Sequence, residues 1–153
     1  MEVTKEFKRD KRSPIPANVN ISRLMRGNKS RNTRPEVMLR RALWRAGTKG
    51  YRLHGSLPGT PDIIFNKQKL AIFVNGCFWH RCPVCCWHTP KTHTTYWAKK
   101  FERTQQRDSL KQLALKELGW QVEVVWECEI RKNSSDVVSR IKMHLAERNN
   151  RNF

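Results

Sequence analysis

The spacing of the cysteines constrains the fold of this 153-residue chain more than any other feature of its sequence. Four cysteines crowd into one short segment and a fifth stands far downstream; they are Cys77, Cys82, Cys85, Cys86 and Cys128. Zinc takes four soft ligands at the corners of a tetrahedron, so a close cluster and one remote donor can tie a loop to a distant element. The spacing therefore predicts a zinc site.

The predicted zinc ligands are Cys77, Cys82, Cys85 and Cys128, with Cys86 as the alternative to Cys85. Three histidines of the same stretch compete for the metal, namely His80, His88 and His93. The alternative is that the thiols are small buried residues or part of a redox-active loop. Because a long irregular loop has no core of its own, a bound metal would contribute folding energy directly, and we interpret the site as structural.

The rest of the composition is typical of one basic domain in a reducing compartment. Residues 1–12 alternate acid and base and lack the apolar stretch of a secretory signal, so we expect a cytoplasmic protein whose thiols stay reduced. No apolar run approaches the ~20 residues of a membrane span, and no membrane partner is expected. The length allows one hydrophobic core. We therefore expect a flexible basic arm over residues 1–20 and a single domain over residues 21–150.

The net charge predicts a nucleic-acid partner. The chain has 31 Lys and Arg against 13 Asp and Glu, a formal charge of +18, and a polyanion is the commonest partner for such an excess. Residues 5–34 carry ten basic and two acidic residues. This unevenness weakens the alternative that the charge only keeps the protein soluble. The residues expected to grip DNA phosphates are Arg23, Arg26, Lys29, Arg31 and Arg34.

Hydrophobic periodicity predicts one helix and a hairpin in the first half of the domain. Thr33 and Glu36 form a capping box that opens a helix running to about Ala46, after a short helical stretch near Met25. The apolar positions expected on that helix are Val37, Leu39, Leu43 and Trp44. A strand follows near Tyr51–His54, and two apolar runs then form a hairpin. The hairpin consists of Asp62–Phe65, the link Asn66–Lys69 and Leu70–Val74.

The second half is predicted to complete an α/β domain with a mixed sheet flanked by helices. The loop from Cys77 to Thr94 shows no internal regular structure. A long helix runs from about Thr95 to Leu118, and an alternating strand from Trp120 ends its buried face at Cys128. Ser134 or Ser135 caps a last helix, which runs to about Arg148.

Two acids stand out against their surroundings. If Phe65 faces Leu70 in the hairpin, Asp62 lies opposite Phe73, beside the place where the second strand ends. Asp108 lies on a helical stripe that is otherwise apolar, with Trp97, Phe101 and Leu115. An acid in either position needs an explanation beyond packing.

Several ordered blocks of this sequence resemble the very short patch repair (Vsr) DNA mismatch endonucleases. The blocks are Pro58–Ile64, Val74–His80, Gln106–Asp108, Leu118–Trp120 and Val125–Cys128. The resemblance covers roughly Met25 to Arg131. It implies a restriction-endonuclease-like fold with structural Zn²⁺, and Mg²⁺-dependent nicking 5′ of the T in a G:T mismatch left by deamination of 5-methylcytosine. The implied partner is double-stranded DNA containing that mismatch.

The resemblance also implies roles for individual residues. Asp62 would hold the magnesium ions with the backbone carbonyl of Val74, whereas His80 would activate the attacking water with Glu36 beside it. Asp108 matches a further acidic active-site residue. Asn75 departs from the pattern, since some relatives carry His or Asp there, although an amide can still bond to phosphate. From the residues alone, Glu36 is better explained as the reciprocal capping partner of Thr33.

DNA contacts and cellular context complete the expectations. Phe78 and Trp79 match an aromatic wedge inserted beside the mismatch from the major groove, and Met25 matches an apolar residue that inserts from the minor groove. The alternative for the two aromatics is ordinary core packing. We expect a monomer because a mismatch is asymmetric and one strand is cut. The resemblance places the protein at a bacterial nucleoid, linked to a cytosine-5 methyltransferase and repair proteins.

Two other functions fit the sequence. One is a related nicking endonuclease without mismatch preference. The other is a zinc-stapled DNA-binding module without catalysis, in which Asp62 only caps a turn. Magnesium-dependent cleavage separates the second function from the nucleases.

Overall fold

Helices cover both faces of a four-stranded mixed sheet in the computed structural model, which describes residues 15, 19–20, 27–85 and 88–151. The predicted arm over residues 1–20 and the helical stretch near Met25 lie largely or wholly outside these residues. The elements are α1 (Arg34–Arg45), β1 (Arg52–Leu53), β2 (Ile63–Phe65), β3 (Leu70–Asn75), α2 (Cys77–His80), α3 (Thr94–Glu117), β4 (Gln121–Trp126) and α4 (Glu127–Arg151).

The sheet has the order β1-β2-β3-β4. β1, β2 and β3 are antiparallel neighbours, and β4 pairs with β3 in parallel after the crossover through α3. The predicted hairpin register is confirmed, because Phe65 pairs with Leu70 and Ile63 with Ile72. The pairing expected of Asp62 with Phe73 is not formed in the same register, because the Asp62 amide donates to the Ile72 carbonyl at 3.0 Å.

Two apolar cores lie on opposite faces of the sheet. Alternate residues of β2 and β3 point to opposite faces, which is why both strands read as continuous apolar runs. The larger core joins α1 and α4 to one face; its members include Leu39, Leu43, Ile63, Ile72, Val125, Val137 and Ile141. The smaller core joins α3 to the other face through Ile64, Ala71 and Leu115. Burial of each such large side chain contributes roughly 1.5–3 kcal/mol.

Four details of the predicted elements are wrong. Trp44 is 60% exposed, because Leu43 already occupies the buried position and the next residue lies about 100° around the helix. The segment after Cys77 begins with the helical turn α2 rather than irregular chain. β4 ends at Trp126, so Cys128 lies in the first turn of α4. The strand is covered on both faces, and its buried residue is Val125 rather than an alternating set.

The fourth detail concerns α4, which is interrupted at Asn133. The Asn133 side-chain oxygen accepts hydrogen bonds from the amides of Ser135 at 3.1 Å and Asp136 at 3.4 Å. Asn133 therefore caps the last helical segment, and neither Ser134 nor Ser135 does. None of the helices in the described ranges combines the length and apolar character needed to cross a membrane.

Candidate active site

Asp62 immediately precedes β2, at the end of the sheet where β3 finishes. Its amide nitrogen donates to the Ile72 carbonyl at 3.0 Å, one residue out of register with the β2–β3 ladder. Its side chain folds back across the same pairing, and one carboxylate oxygen accepts a hydrogen bond from the Val74 amide at 2.7 Å. The carboxylate is thus fixed beside the last residues of β3, and its other oxygen accepts no hydrogen bond from the described residues.

Glu36 comes to this carboxylate from the first turn of α1. It is 3% exposed, and the hydroxyl of Thr33 and the amide of Asn32 each donate to its carboxylate at 2.9 Å. Thr33 in turn accepts from the Glu36 amide at 3.5 Å. The capping interpretation of Glu36 is therefore borne out, and the same bonds hold its carboxylate near Asp62.

Burial and the second carboxylate change the acidity of Asp62. The pKa of Asp62 is raised from 3.8 to about 6, mainly by desolvation and to a lesser extent by the nearby Glu36. The hydrogen bond from Val74 and the nearby His80 and Arg40 act in the opposite direction. Two acids held together away from water are costly without a cation, and such a pair is typical of a metal site.

His80 and Asp108 form a pair at the other side of the site. The Nδ1 atom of His80, at the end of α2, lies 2.5 Å from a carboxylate oxygen of Asp108 in the middle of α3. A carboxylate only accepts hydrogen bonds, so Nδ1 is a protonated ring nitrogen, and in the neutral imidazole the lone pair lies on Nε2. The position of Asp108 on an apolar stripe is explained by this bond.

The predicted catalytic residues lie around one cleft of about 1430 Å³. Its walls include Glu36, Asp62, Val74, Asn75, His80 and Asp108. Asn75 ends β3 and is 7% exposed, so its amide is held inside the protein. Residues from β3, from the position just before β2 and from three helices thus converge where β3 ends.

His54 is a member of this site that the sequence analysis missed. It follows β1, and its amide donates to the Asp62 carbonyl at 3.2 Å. One ligand atom each of Glu36, His54 and Asp62 lies within 4.8 Å of the others. The sequence predicts a strand near Tyr51–His54 but not its partner, and it is the pairing with β2 that places His54 opposite Asp62.

The two adjacent aromatics have different surroundings. Phe78 packs edge-on against Trp97 and Phe101, with ring centroids 5.6 and 5.4 Å away. Trp79 lines the cleft, and the Lys100 ammonium lies 5.3 Å from its ring centroid. Both side chains are half-buried. Core packing thus accounts for the partial burial of Phe78. Trp79 is the more accessible of the two to a ligand in the cleft.

The rim of the cleft is basic. Lys29 and Arg31 are exposed and line it, as predicted for phosphate-binding residues. Lys100 and Lys111 of α3 also line it, although sequence reasoning did not single out Lys111. Arg34 and Arg41 add further positive charge from α1. Met25, Arg23 and Arg26 lie outside the described residues.

The cysteine cluster forms a second centre next to the cleft. Cys77, Cys82, Cys85 and Cys128 bring their sulfur atoms within 4.8 Å of one another, and Cys82 and Cys128 are 3.7 Å apart. Burial raises the pKa of the Cys77 thiol, and burial with the neighbouring Cys82 raises that of Cys128 to about 11. Four crowded thiols of this kind fit a metal ion. Cys86 lies outside the described residues.

Known proteins resemble the chain in sequence and fold. Residues 16–89 match the family model of the DNA mismatch endonuclease Vsr. The type II nicking enzyme V.XorIIP of Xanthomonas oryzae pv. oryzae is 45% identical over 108 residues, which are 70% of this chain and 79% of that enzyme. The DNA mismatch endonuclease Vsr of Escherichia coli is 36% identical over 110 residues, 72% of this chain and 70% of that enzyme.

A solved structure gives the fold class. The catalytic domain of the homing endonuclease I-Bth0305I superposes with a TM-score of 0.51 at 20% identity, covering 76% of this chain and 98% of that domain. The predicted restriction-endonuclease-like α/β fold is confirmed.

Fold and relatives together define a DNA endonuclease. More narrowly, the chain belongs to the Vsr endonuclease family.

Proposed function

We propose that this protein is a Mg²⁺-dependent DNA mismatch endonuclease that nicks one strand 5′ of the T in a G:T mismatch. The observation that carries the proposal is the convergence of a desolvated carboxylate pair, Asp62 and Glu36, with the His80–Asp108 pair around one basic cleft. Phosphodiester hydrolysis needs a cation at the phosphate and a base for the attacking water. These two pairs supply both.

The carboxylate pair fits a hard divalent cation. Asp62 has one oxygen fixed by the Val74 amide and the other without a hydrogen bond in the described part of the chain, and oxygen ligands suit Mg²⁺. Asp62 and the Val74 carbonyl are the proposed ligands. Bound there, the cation would neutralise charge on the scissile phosphate and on the leaving 3′ oxygen.

His80 is the proposed general base. Asp108 holds the imidazole with Nδ1 protonated, so Nε2 is free to take a proton from water. Imidazolium formed in this way is stabilised by the Asp108 carboxylate. Glu36 orients groups near Asp62, and the Asn75 amide donates a hydrogen bond to the phosphate.

The second centre is proposed to hold structural Zn²⁺. Four thiolates at this spacing match the ligands of closed tetrahedral zinc sites. Cys77 opens α2 and Cys128 lies in the first turn of α4, so the ion would tie the short helix carrying His80 to the end of the sheet.

Mismatch preference rests on the aromatics and on the Escherichia coli relative. A G:T pair unstacks more readily than a matched pair, so a wedge of Trp79 and Phe78 deforms mismatched DNA at lower cost. Met25 is proposed to insert from the other groove. Arg23, Arg26, Lys29 and Arg31 are proposed to hold the phosphates, which fixes position without reading sequence. The Escherichia coli relative is named as a DNA mismatch endonuclease.

The setting we propose is a monomer of one domain over residues 21–150, preceded by a basic arm over residues 1–20. It acts at the nucleoid in a bacterial cytoplasm, after a cytosine-5 methyltransferase has created the deaminating base.

The decisive experiment compares labelled duplexes with and without one G:T mismatch in a methylation-site context, in Mg²⁺ or EDTA. Nicking 5′ of the mismatched T, absent from the matched duplex and from Asp62→Asn, is expected. Equal cutting of both duplexes would favour the second candidate, a nicking enzyme without mismatch preference, as the name of the Xanthomonas relative suggests. Tight binding with no cutting would leave only the zinc-stapled binding module.

A further inference from the structure

His54 is placed on Asp62 by the backbone. Leu53 pairs with Ile63 in the antiparallel β1–β2 ladder, and the His54 amide continues the ladder to the Asp62 carbonyl at 3.2 Å. The side chains of His54 and Asp62 therefore occupy opposite positions at the neighbouring ends of β1 and β2. This proximity is fixed by hydrogen bonds of the main chain, so it does not depend on side-chain rotation.

One ring nitrogen of His54 makes no hydrogen bond to the described residues. The Nε2 atom is buried and has no hydrogen-bond partner among the described residues, although a ligand atom of His54 lies within 4.8 Å of those of Glu36 and Asp62. Buried polar atoms are almost always satisfied, and an orphaned one signals a missing ion or ligand. A nitrogen lone pair beside two carboxylates is a donor set for a divalent cation.

The backbone at His54 is strained. His54 adopts a left-handed conformation with φ of 49°, and Thr60 in the same connection has φ of 51°. Non-glycine residues rarely adopt this region, and such strain concentrates at functional sites. The chain therefore keeps the histidine beside Asp62 at a conformational cost.

We propose that His54 binds the catalytic cation through Nε2, as a third protein ligand beside Asp62 and the Val74 carbonyl and next to the Glu36 carboxylate. The inference rests on the proposed function, since it concerns the same cation. An imidazole ligand changes the metal preference, because nitrogen donors favour Mn²⁺ and later transition metals over Mg²⁺. The protein would therefore bind Mn²⁺ more tightly than Mg²⁺, and His54 would account for the difference.

The test observes the metal directly, without turnover. Zinc-loaded protein is titrated with Mn²⁺, and the bound ion is examined by pulsed electron paramagnetic resonance for coupling to an imidazole nitrogen. His54→Asn is the main variant, because asparagine adopts left-handed conformations readily and its shorter amide withdraws the nitrogen. His88→Asn replaces an exposed histidine outside the cleft and is the matched control.

The expected result is a nitrogen coupling in the wild type and in His88→Asn that is lost in His54→Asn, with Mn²⁺ affinity lowered about tenfold or more. The coupling should persist in His80→Asn, which excludes the other histidine of the cleft. An unchanged zinc content and melting temperature would show that His54→Asn folds.

Two negative results are distinguishable. Mn²⁺ that binds in an Asp62-dependent way without nitrogen coupling, or with coupling that survives His54→Asn, would overturn this inference and leave the proposed function standing. Failure of Asp62→Asn to alter Mn²⁺ binding would overturn the cation site itself, and with it both proposals.

Discussion

At the scale of single residues, the burial of Asp62 lowers the stability of the fold at neutral pH. Its pKa in the fold is about 6, against 3.8 for the ordinary group, so the native state favours the protonated form. Stability from this group is therefore fully present below pH about 4 and is lost as the pH rises through about 6. At neutral pH the ionised carboxylate destabilises the fold unless a bound cation compensates its charge.

Asp62→Asn should consequently stabilise the Mg²⁺-free protein at pH 7.5 while abolishing cleavage. A shift of this size corresponds to at most about 3 kcal/mol, or several degrees in melting temperature. The asparagine oxygen can still accept from the Val74 amide, so the hairpin is retained. Thermal melts of zinc-loaded wild type and variant should converge near pH 4. A variant that melts lower than the wild type at pH 7.5 would contradict the assignment.

The His80–Asp108 pair should behave as one unit. Asp108→Asn offers Nδ1 a group that both donates and accepts, so the tautomer is no longer fixed and nicking should fall about 10²-fold or more. His80→Ala should cost about as much or more. The double variant should lose little beyond His80→Ala, because Asp108 acts through the imidazole. Single-turnover rates measure this, and additive losses would mean that Asp108 acts independently.

At the scale of elements, the features that were predicted correctly depend on interactions between residues close together in the sequence. The hairpin register came from a four-residue link between two apolar runs, and the register alone placed Asp62 beside the end of β3. The α1 boundary came from the local bonds of Thr33 and Glu36. Both features depend on residues close together in the chain, and the sequence is informative there.

What could not be predicted depends on contacts between distant segments. β1 contains only Arg52 and Leu53, too few residues to show alternation, so its pairing with β2 and the position of His54 were invisible. The partial burial of Phe78 depends on Trp97 and Phe101 of α3. The catalytic roles of the converging residues stay predictions until they are tested by activity.

The turn between β1 and β2 offers a test of how tightly the active site is built. Gly59 has φ of 79°, and a Cβ there would lie 2.8 Å from the Cβ of Lys111 on α3. Gly47 has a similar φ of 73° but open space around it. Gly47→Ala should therefore cost only the left-handed strain, about 1–2 kcal/mol. Gly59→Ala carries the same strain together with a clash.

Gly59→Ala should thus be the more destabilised variant and should also lose nicking activity, because relief of the clash moves the segment that leads into Asp62. Denaturant unfolding and single-turnover rates separate the two effects. Equal stability losses in both variants would show that the approach of this turn to α3 is loose.

The proposed zinc site concerns two helices, because Cys77 opens α2 and Cys128 lies in the first turn of α4. Zinc should be present at about one ion per chain, measured by elemental analysis after gel filtration. Cys82→Ser should reduce zinc content and lower the melting temperature, because removal of one thiol opens the link between α2 and the start of α4. Nicking should fall with it, since α2 carries His80. Retention of full zinc and activity would indicate that Cys86 or a histidine replaces Cys82.

At the scale of the whole molecule, the charge of +18 should appear as a steep salt dependence of DNA binding. Each phosphate neutralised by a lysine or arginine contributes about −0.9 to the slope of log K against log salt concentration. Lys29 and Arg31 are exposed on the rim of the cleft. Charge removal at either one should reduce the slope by about 1 and weaken matched and mismatched duplexes equally.

Lys142 is the matched control for that measurement. It is exposed on α4 and lies apart from the residues that line the cleft. Lys142→Ala removes the same charge from the whole molecule, so it should lower affinity slightly while leaving the slope unchanged. Fluorescence anisotropy between low and physiological salt, in EDTA to prevent cutting, gives the slopes. If Lys142→Ala changed the slope as much as Lys29→Ala and Arg31→Ala, the DNA would be held by diffuse charge, and the basic rim would not define its path.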